Sequence, residues 1–162
     1  LWNDAQRDAL APIAAFVAAQ GAVPAIQLGH AGRKASISRP WEGSLPLRPD
    51  AGGWATIGPS ALAYGDNFPV PRAMDEADIA DVIAAFRAAT RRSREAGFKL
   101  VEIHGAHGYL FHQFLSPLSN RRQDRYGGTL ENRARLLFET LDAVRAEGPA
   151  ELPLGVRLSC ND

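Results

Sequence analysis

The stretch that most constrains this chain is Leu100-Val101-Glu102-Ile103-His104-Gly105-Ala106-His107-Gly108-Tyr109. Its first residues alternate apolar and polar, the signature of a strand with one face against a core. Residues three apart on a strand point to opposite faces, so His104 and His107 converge on one ligand only if the strand stops near His104 and the backbone then curls. Gly105 and Gly108 permit that curl. The expectation is a strand that delivers two imidazoles and the Tyr109 phenol at its C-terminal end, where parallel α/β folds place their chemistry.

The rest of the chain supplies strands and helices in alternation. Leu10, Ile13, Phe16 and Val17 recur at helical spacing, with Asp4 or Asp8 as cap, Pro12 suited to a first turn rather than an interior, and Gly21 as the stop. Val23 to His30 reads as a short strand. Asp75 caps a second helix whose stripe is Ile79, Val82, Ile83 and Phe86, with Arg91, Arg92 and Arg94 in its last turns and Gly97 ending it. Past the histidines, Phe111 to Tyr126 reads as polar and turn-rich. Gly127-Gly128-Thr129 then opens a helix with Ala134, Leu137, Leu141 and Val144 inward, and Leu154 to Ser159 forms the next strand.

Strands alternating with helices imply βαβ units and a parallel sheet. On the three strands Ile26/Leu28, Val101/Ile103 and Val156/Leu158 are expected to face the helices, while Gln27, Glu102/His104 and Arg157 share the opposite face. A polar inner face suits a (β/α)8 barrel better than a doubly wound sheet, whose strands are apolar on both sides. The long irregular stretch from Ala31 to Arg72 is rich in Gly, Pro and Trp. Trp41, Trp54, Phe68 and the apolar run Ile57 to Ala63 argue that it packs as an ordered excursion over the mouth of a site rather than as a disordered linker.

Composition narrows the partner. Of 162 residues, 46% are hydrophobic and 22% charged, enough for one domain with a sizeable core. Eighteen basic residues balance eighteen acidic ones, and no basic stripe interleaved with aromatics is present, so a small neutral molecule is expected rather than nucleic acid. No apolar run approaches the roughly 18 residues of a membrane span. Cys160 is alone, which excludes an internal disulfide and fits a reducing, cytoplasmic setting. The chain opens Leu1-Trp2-Asn3-Asp4 without an initiator Met and stops at Asp162 just after an apparent strand. Residues 1–162 are therefore expected to form one partial domain cut at both ends.

The inner-face set has a definite chemistry. Gln27 offers an amide donor and acceptor, His104 and His107 offer ring N–H groups, Arg157 a fixed fork of donors, and Tyr109 a phenol. Such a set suits a planar heterocycle with carbonyl and ring-nitrogen positions, as in a reduced flavin. Each residue also has a plainer reading: Gln27 as a satisfied core amide, Arg157 as partner of Glu102, Tyr109 as rim packing. The histidines could instead bind a metal with His30 or His112 as third ligand, but there is no helical His-Glu-Xaa-Xaa-His and no cysteine cluster. His30, His112, Arg33 and Lys34 are read as structural or loop-positioning. Asn120, Arg121, Asp124 and Arg133 are read as a hydrogen-bonded network bracing a loop.

Several longer motifs then coincide in order: Gln27-Leu28-Gly29-His30-Ala31-Gly32-Arg33-Lys34, Ile103-His104-Gly105-Ala106-His107-Gly108-Tyr109-Leu110, Phe114-Leu115-Ser116-Pro117-Leu118-Ser119-Asn120-Arg121, Tyr126-Gly127-Gly128, Glu131-Asn132-Arg133 and Val156-Arg157. Together they resemble the old yellow enzyme family of FMN-dependent ene-reductases, and Arg39-Pro40-Trp41-Glu42-Gly43 resembles its xenobiotic reductase branch. The resemblance implies a TIM barrel, here about strands 3 to 5 with their helices and a long loop between the barrel's third strand and third helix. It implies FMN as cofactor, NAD(P)H as reductant, an α,β-unsaturated carbonyl substrate, and a homo-oligomeric parent protein. By the same resemblance Gln27 bonds the pyrimidine edge of the flavin and Arg157 lies near its N1/O2 edge. His104, which also counts among the flavin-side residues, joins His107 in gripping the substrate carbonyl. Hydride passes from NAD(P)H to flavin N5 and then to the β-carbon, while Tyr109 protonates the α-carbon. A metal-dependent barrel hydrolase and an inactive remnant or interaction module are the alternatives.

Overall fold

The fold, a computed structural model, describes residues 1–161, which cluster into two compact units. The first comprises residues 1–29, 77–104 and 136–157, and the second residues 30–76, 105–135 and 158–161.

In the first unit, helix α1 (Asp4–Ala19) starts at Asn3, whose side-chain oxygen accepts from the Gln6 N–H at 2.9 Å. That cap replaces the expected Asp4 or Asp8. Asp4 and Asp8 serve instead as ion-pair partners, Asp4 bonding Arg92 at 2.8 Å and Asp8 bonding Arg7 at 2.8 Å. Pro12 lies inside the helix, not in its first turn. Ala14, Ala96 and Phe98 form a buried cluster against which Leu10, Ala11 and Ile26 pack. Ile13 and Phe16 are 55% and 66% exposed, so the apolar stripe is wider than the surface this unit covers.

Strand β1 (Ala25–Leu28), shorter at both ends than expected, pairs in parallel with β4 (Leu100–Gly105) in the register Ala25↔Leu100 to Leu28↔Ile103. Strand β5 (Leu154–Leu158) completes the sheet in the order β1-β4-β5. Val101 and Ile103 are fully buried. Helix α2 (Glu76–Glu95) buries Ile79, Val82, Phe86 and Ala89, and Gly97, at φ 100°, lets the chain turn out of it. In helix α4 (Leu130–Glu147), Leu137 and Val144 are buried as expected, together with Leu136 and Thr140. Thr140 can be buried because its hydroxyl donates back to the Leu136 carbonyl at 2.8 Å. No described helix is long and apolar enough to cross a membrane.

The second unit has less regular structure. Short 3-10 turns at Gly32–Lys34, Pro40–Glu42 and Pro49–Ala51 and an antiparallel bridge between Ile37 and Pro46 order the stretch expected to be irregular. Strand β2 (Ile57–Gly58) pairs with β3 (Arg72–Ala73) in parallel. Phe68 stacks edge-on against Tyr64 at 5.0 Å, but Trp41 and Trp54 stand 78% and 60% exposed instead of packing. Residues 111–126 hold one element the sequence pattern hides, the buried helix α3 (Leu110–Leu115), in which Leu110, Phe111, Gln113 and Phe114 are all buried. The loop after it is braced by Asn120, Asp124 and Arg133 as expected, whereas Arg121 contributes its main-chain N–H, which donates to Ser60 Oγ at 2.9 Å. The Asn120 amide donates to the carbonyls of Phe114 and Tyr126, and the Arg133 guanidinium donates to that of Leu115. The side chain that does most there is Arg122, which bonds Asp124 and the carbonyls of Pro59 and Met74.

Candidate active site

One face of the first unit's sheet gathers the polar residues. The register places Gln27 beside Glu102, and the Gln27 amide donates to the Glu102 carboxylate. His104 lies on the same side, because a Cβ built on Gly29 would come within 3.2 Å of His104 Cβ. A Cβ built on Gly155 would face Glu102 Cγ at 3.7 Å, which puts Arg157, two residues on, on this face too. Gln27, Glu102, His104 and Arg157 thus share one side of the layer.

Gln27 and Arg157 are exposed, whereas His104 is 6% exposed. Between them Gly29 and Gly155 add no side chain to the surface. The result is a face with open backbone at the two glycines on either side of Glu102 and His104, carrying an amide, a carboxylate, an imidazole and a guanidinium. Hydrogen-bonding groups beside backbone left open by two glycines fit a flat heterocycle with carbonyl and nitrogen atoms on its rim.

His107 and Tyr109 belong to the second unit. Strand β4 runs one residue beyond the expected stop, to Gly105, and the curl is made by His107 and Gly108, at φ 57° and 69°. A left-handed histidine is uncommon and needs outside support. The His107 N–H donates to Ser159 Oγ at 3.0 Å, and its carbonyl accepts from Lys34 Nζ at 2.8 Å. Gly108 N–H donates to His112 Nδ1 at 2.8 Å. Tyr109, at φ −83° and ψ 179°, heads α3, with its N–H on the Ala106 carbonyl at 3.1 Å and its own carbonyl accepting from Gln113 N–H at 2.8 Å. Lys34, Tyr64, His107, His112, Gln113 and Ser159 line a hollow of about 330 Å³.

No functional motif marks Gln113, Ser159 or Arg122 in the sequence. Gln113 is 1% exposed, donates to the carbonyls of Ala31 and Gly108, and accepts from Arg33 N–H at 3.2 Å. It also explains Gly32, at φ 59°: a Cβ there would sit 2.3 Å from Gln113 Oε1. The one available signal was a polar residue at a position where the apolar neighbours Leu110, Phe111 and Phe114 mark a buried helix.

The two other histidines are occupied by the backbone. Nδ1 of His30 accepts from Gly32 N–H at 3.0 Å, as that of His112 does from Gly108. Among the described residues no group of three His, Cys, Asp or Glu is arranged to hold a metal ion. Burial holds the His30 imidazole below its ordinary pKa of 6.5. The unfolded chain then binds the proton more readily, so His30 contributes stability that is full above about pH 6.5 and is lost as pH falls toward the folded-state value. A His30→Asn variant is expected to show a shallower decline in urea midpoint between about pH 6.5 and 5 than the wild type; parallel declines would contradict this.

Parallel strands alternating with helices, with hydrogen-bonding side chains on the face away from them, define part of a (β/α)8 barrel. Solved structures agree. Morphinone reductase superposes over 97% of this chain and 43% of its own, with a TM-score of 0.81 at 35% identity, and the old yellow enzyme homologue of Zymomonas mobilis over 99% and 44%, at 0.83 and 33%. In sequence, an NADH:flavin oxidoreductase of Gibberella zeae is 46% identical over 100% of this chain and 40% of its own, and an NADPH dehydrogenase of Geobacillus sp. (strain WCH70) is 46% identical over 100% and 43%. The profile of the NADH:flavin oxidoreductase / NADH oxidase family matches residues 1–162. The chain belongs to that family, and it spans about two-fifths of the length of these relatives.

Proposed function

We propose that residues 1–162 are one stretch of a single FMN-binding barrel domain whose protein reduces the C=C bond of α,β-unsaturated carbonyl compounds with NAD(P)H. The observation that carries this reading is that Gln27, His104 and Arg157 share one face of the sheet, with Gly29 and Gly155 leaving backbone open beside them. When bound, FMN would supply two-electron hydride chemistry between NAD(P)H and the alkene. Gln27, held by Glu102, would hold the flavin's pyrimidine edge with its amide, and Arg157 would offer fixed positive charge to the ring in its reduced, anionic form. His104 and His107 donate to the substrate carbonyl oxygen and stabilise the enolate charge that develops there, each well-placed donor being worth about 3 kcal/mol. Tyr109 gives a proton to the α-carbon. The same reading makes the protein cytoplasmic and homo-oligomeric, with lone, exposed Cys160 in keeping with a reducing compartment.

The test is stopped-flow spectroscopy on the full-length protein. NADPH is expected to bleach the flavin band, and cyclohexenone to restore it anaerobically. A flavin that no activated alkene reoxidises defeats the proposal.

A further inference from the structure

We propose that Lys34 is the positioning residue for His107, and that through the main chain it sets how tightly the protein holds a carbonyl-bearing substrate; the second half rests on the role given to His107 above. A non-glycine residue in the left-handed region persists where its surroundings over-determine it, and such positions gather at ligand clamps. His107 is one, at φ 57°. Ser159 takes its N–H, and Lys34 takes its carbonyl. Of these two ties only the one from Lys34 is charge-assisted, and it spans 73 residues of sequence.

Lys34 is built into this place from several sides. Its ammonium lies 4.2 Å from the centroid of the Tyr64 ring. Among the described residues no carboxylate pairs with it, so the His107 carbonyl is its hydrogen-bond acceptor. Gly108 makes room for it: a Cβ at Gly108 would come within 2.8 Å of Lys34 Nζ and 3.0 Å of Cε. The glycine after His107 therefore does more than allow a turn. Behind both, Gln113 ties the carbonyls of Ala31 and Gly108 together, fixing the turn that presents Lys34 against the turn that presents His107. Without the ammonium the His107 carbonyl loses its charged partner, the left-handed residue relaxes, and the imidazole leaves its direction. With His104 still in place to carry the developing enolate charge, an angular error at His107 shows first as weaker binding of the substrate carbonyl.

Two readouts on the full-length flavin-loaded protein decide this. Lys34→Met is expected to raise KM for cyclohexenone about tenfold with kcat changed far less, and Lys34→Arg to recover most of that loss. In a crystal structure of Lys34→Met, His107 is expected outside the left-handed region. An unchanged KM, a fall in kcat and flavin content together with no rescue by Arg, or a His107 still near φ 57° overturns the proposal. If Lys34→Met does not fold, Lys34→Gln replaces it, with a KM rise of about threefold expected and none overturning. A wild type that turns over no enone defeats the ene-reductase reading alone, because the conformation of His107 in the variant still decides what Lys34 does.

Discussion

Gln113→Leu is expected to lower the unfolding free energy by about 3 kcal/mol or more, read as a fall in urea midpoint at constant slope. The side chain is 1% exposed and meets three main-chain groups, the carbonyls of Ala31 and Gly108 and the N–H of Arg33. Leucine fills nearly the same volume, so the substitution removes hydrogen bonds with little cavity. Each main-chain group left unpaired in a buried place costs ~1–3 kcal/mol; the Gly108 carbonyl and the Arg33 N–H lose this partner outright, while the Ala31 carbonyl keeps the Lys34 N–H at 3.2 Å. Against a typical stability of roughly 5–15 kcal/mol that is a large fraction. A loss below about 1 kcal/mol would mean that water reaches these groups, and that Gln113 is not what holds the Gly32 and Gly108 turns together.

That expectation concerns a residue the sequence pattern does not single out, and the reason is physical. Strand faces are legible because side chains alternate with period two. Once Val101 and Ile103 are assigned to the core, Glu102 and His104 must face the other way, and the same parity sorts Gln27 and Arg157. Helix α2 is legible for the analogous reason, since Ile79, Val82 and Phe86 recur on one side of a 3.6-residue turn. Periodicity says which face is apolar, but not how much of it is covered. Hence Ile13 and Phe16 lie on the expected stripe of α1 and are nonetheless exposed.

The second unit is governed by contacts with no period at all. Gln113 and Lys34 recognise main-chain carbonyls, which every residue carries, across sequence separations of 82 and 73. Nothing in the identity of Ala31 or His107 announces such a bond. Helix α3 is hidden for a related reason. Its six residues are too few for a helical period to stand out, and His112 and Gln113 interrupt the apolar run although Gln113 is buried with it. The positive φ of His107 was equally out of reach, because the flanking glycines drew the curl to themselves while the structure gives half of it to the histidine.

Under the proposed ene-reduction, Tyr109→Phe is expected to separate the two half-reactions. The return of flavin colour with cyclohexenone should slow by about 10²–10⁴-fold, the usual contribution of a positioned proton donor, while bleaching by NADPH is spared. The substitution removes one oxygen and leaves the ring. Main-chain bonds from Tyr109 N–H to the Ala106 carbonyl and from Gln113 N–H to the Tyr109 carbonyl hold the backbone whatever the side chain is. A phenyl ring in the same place has no proton to give, so the α-carbon must draw on water. Hydride uptake from NADPH needs no proton from this residue. The surviving slow reoxidation should therefore depend on solvent more strongly than in the wild type, with a larger rate difference between H₂O and D₂O. Equal slowing of bleaching and recolouring would refute the role of Tyr109 as proton donor and point instead to a residue that shapes the site for both reactants.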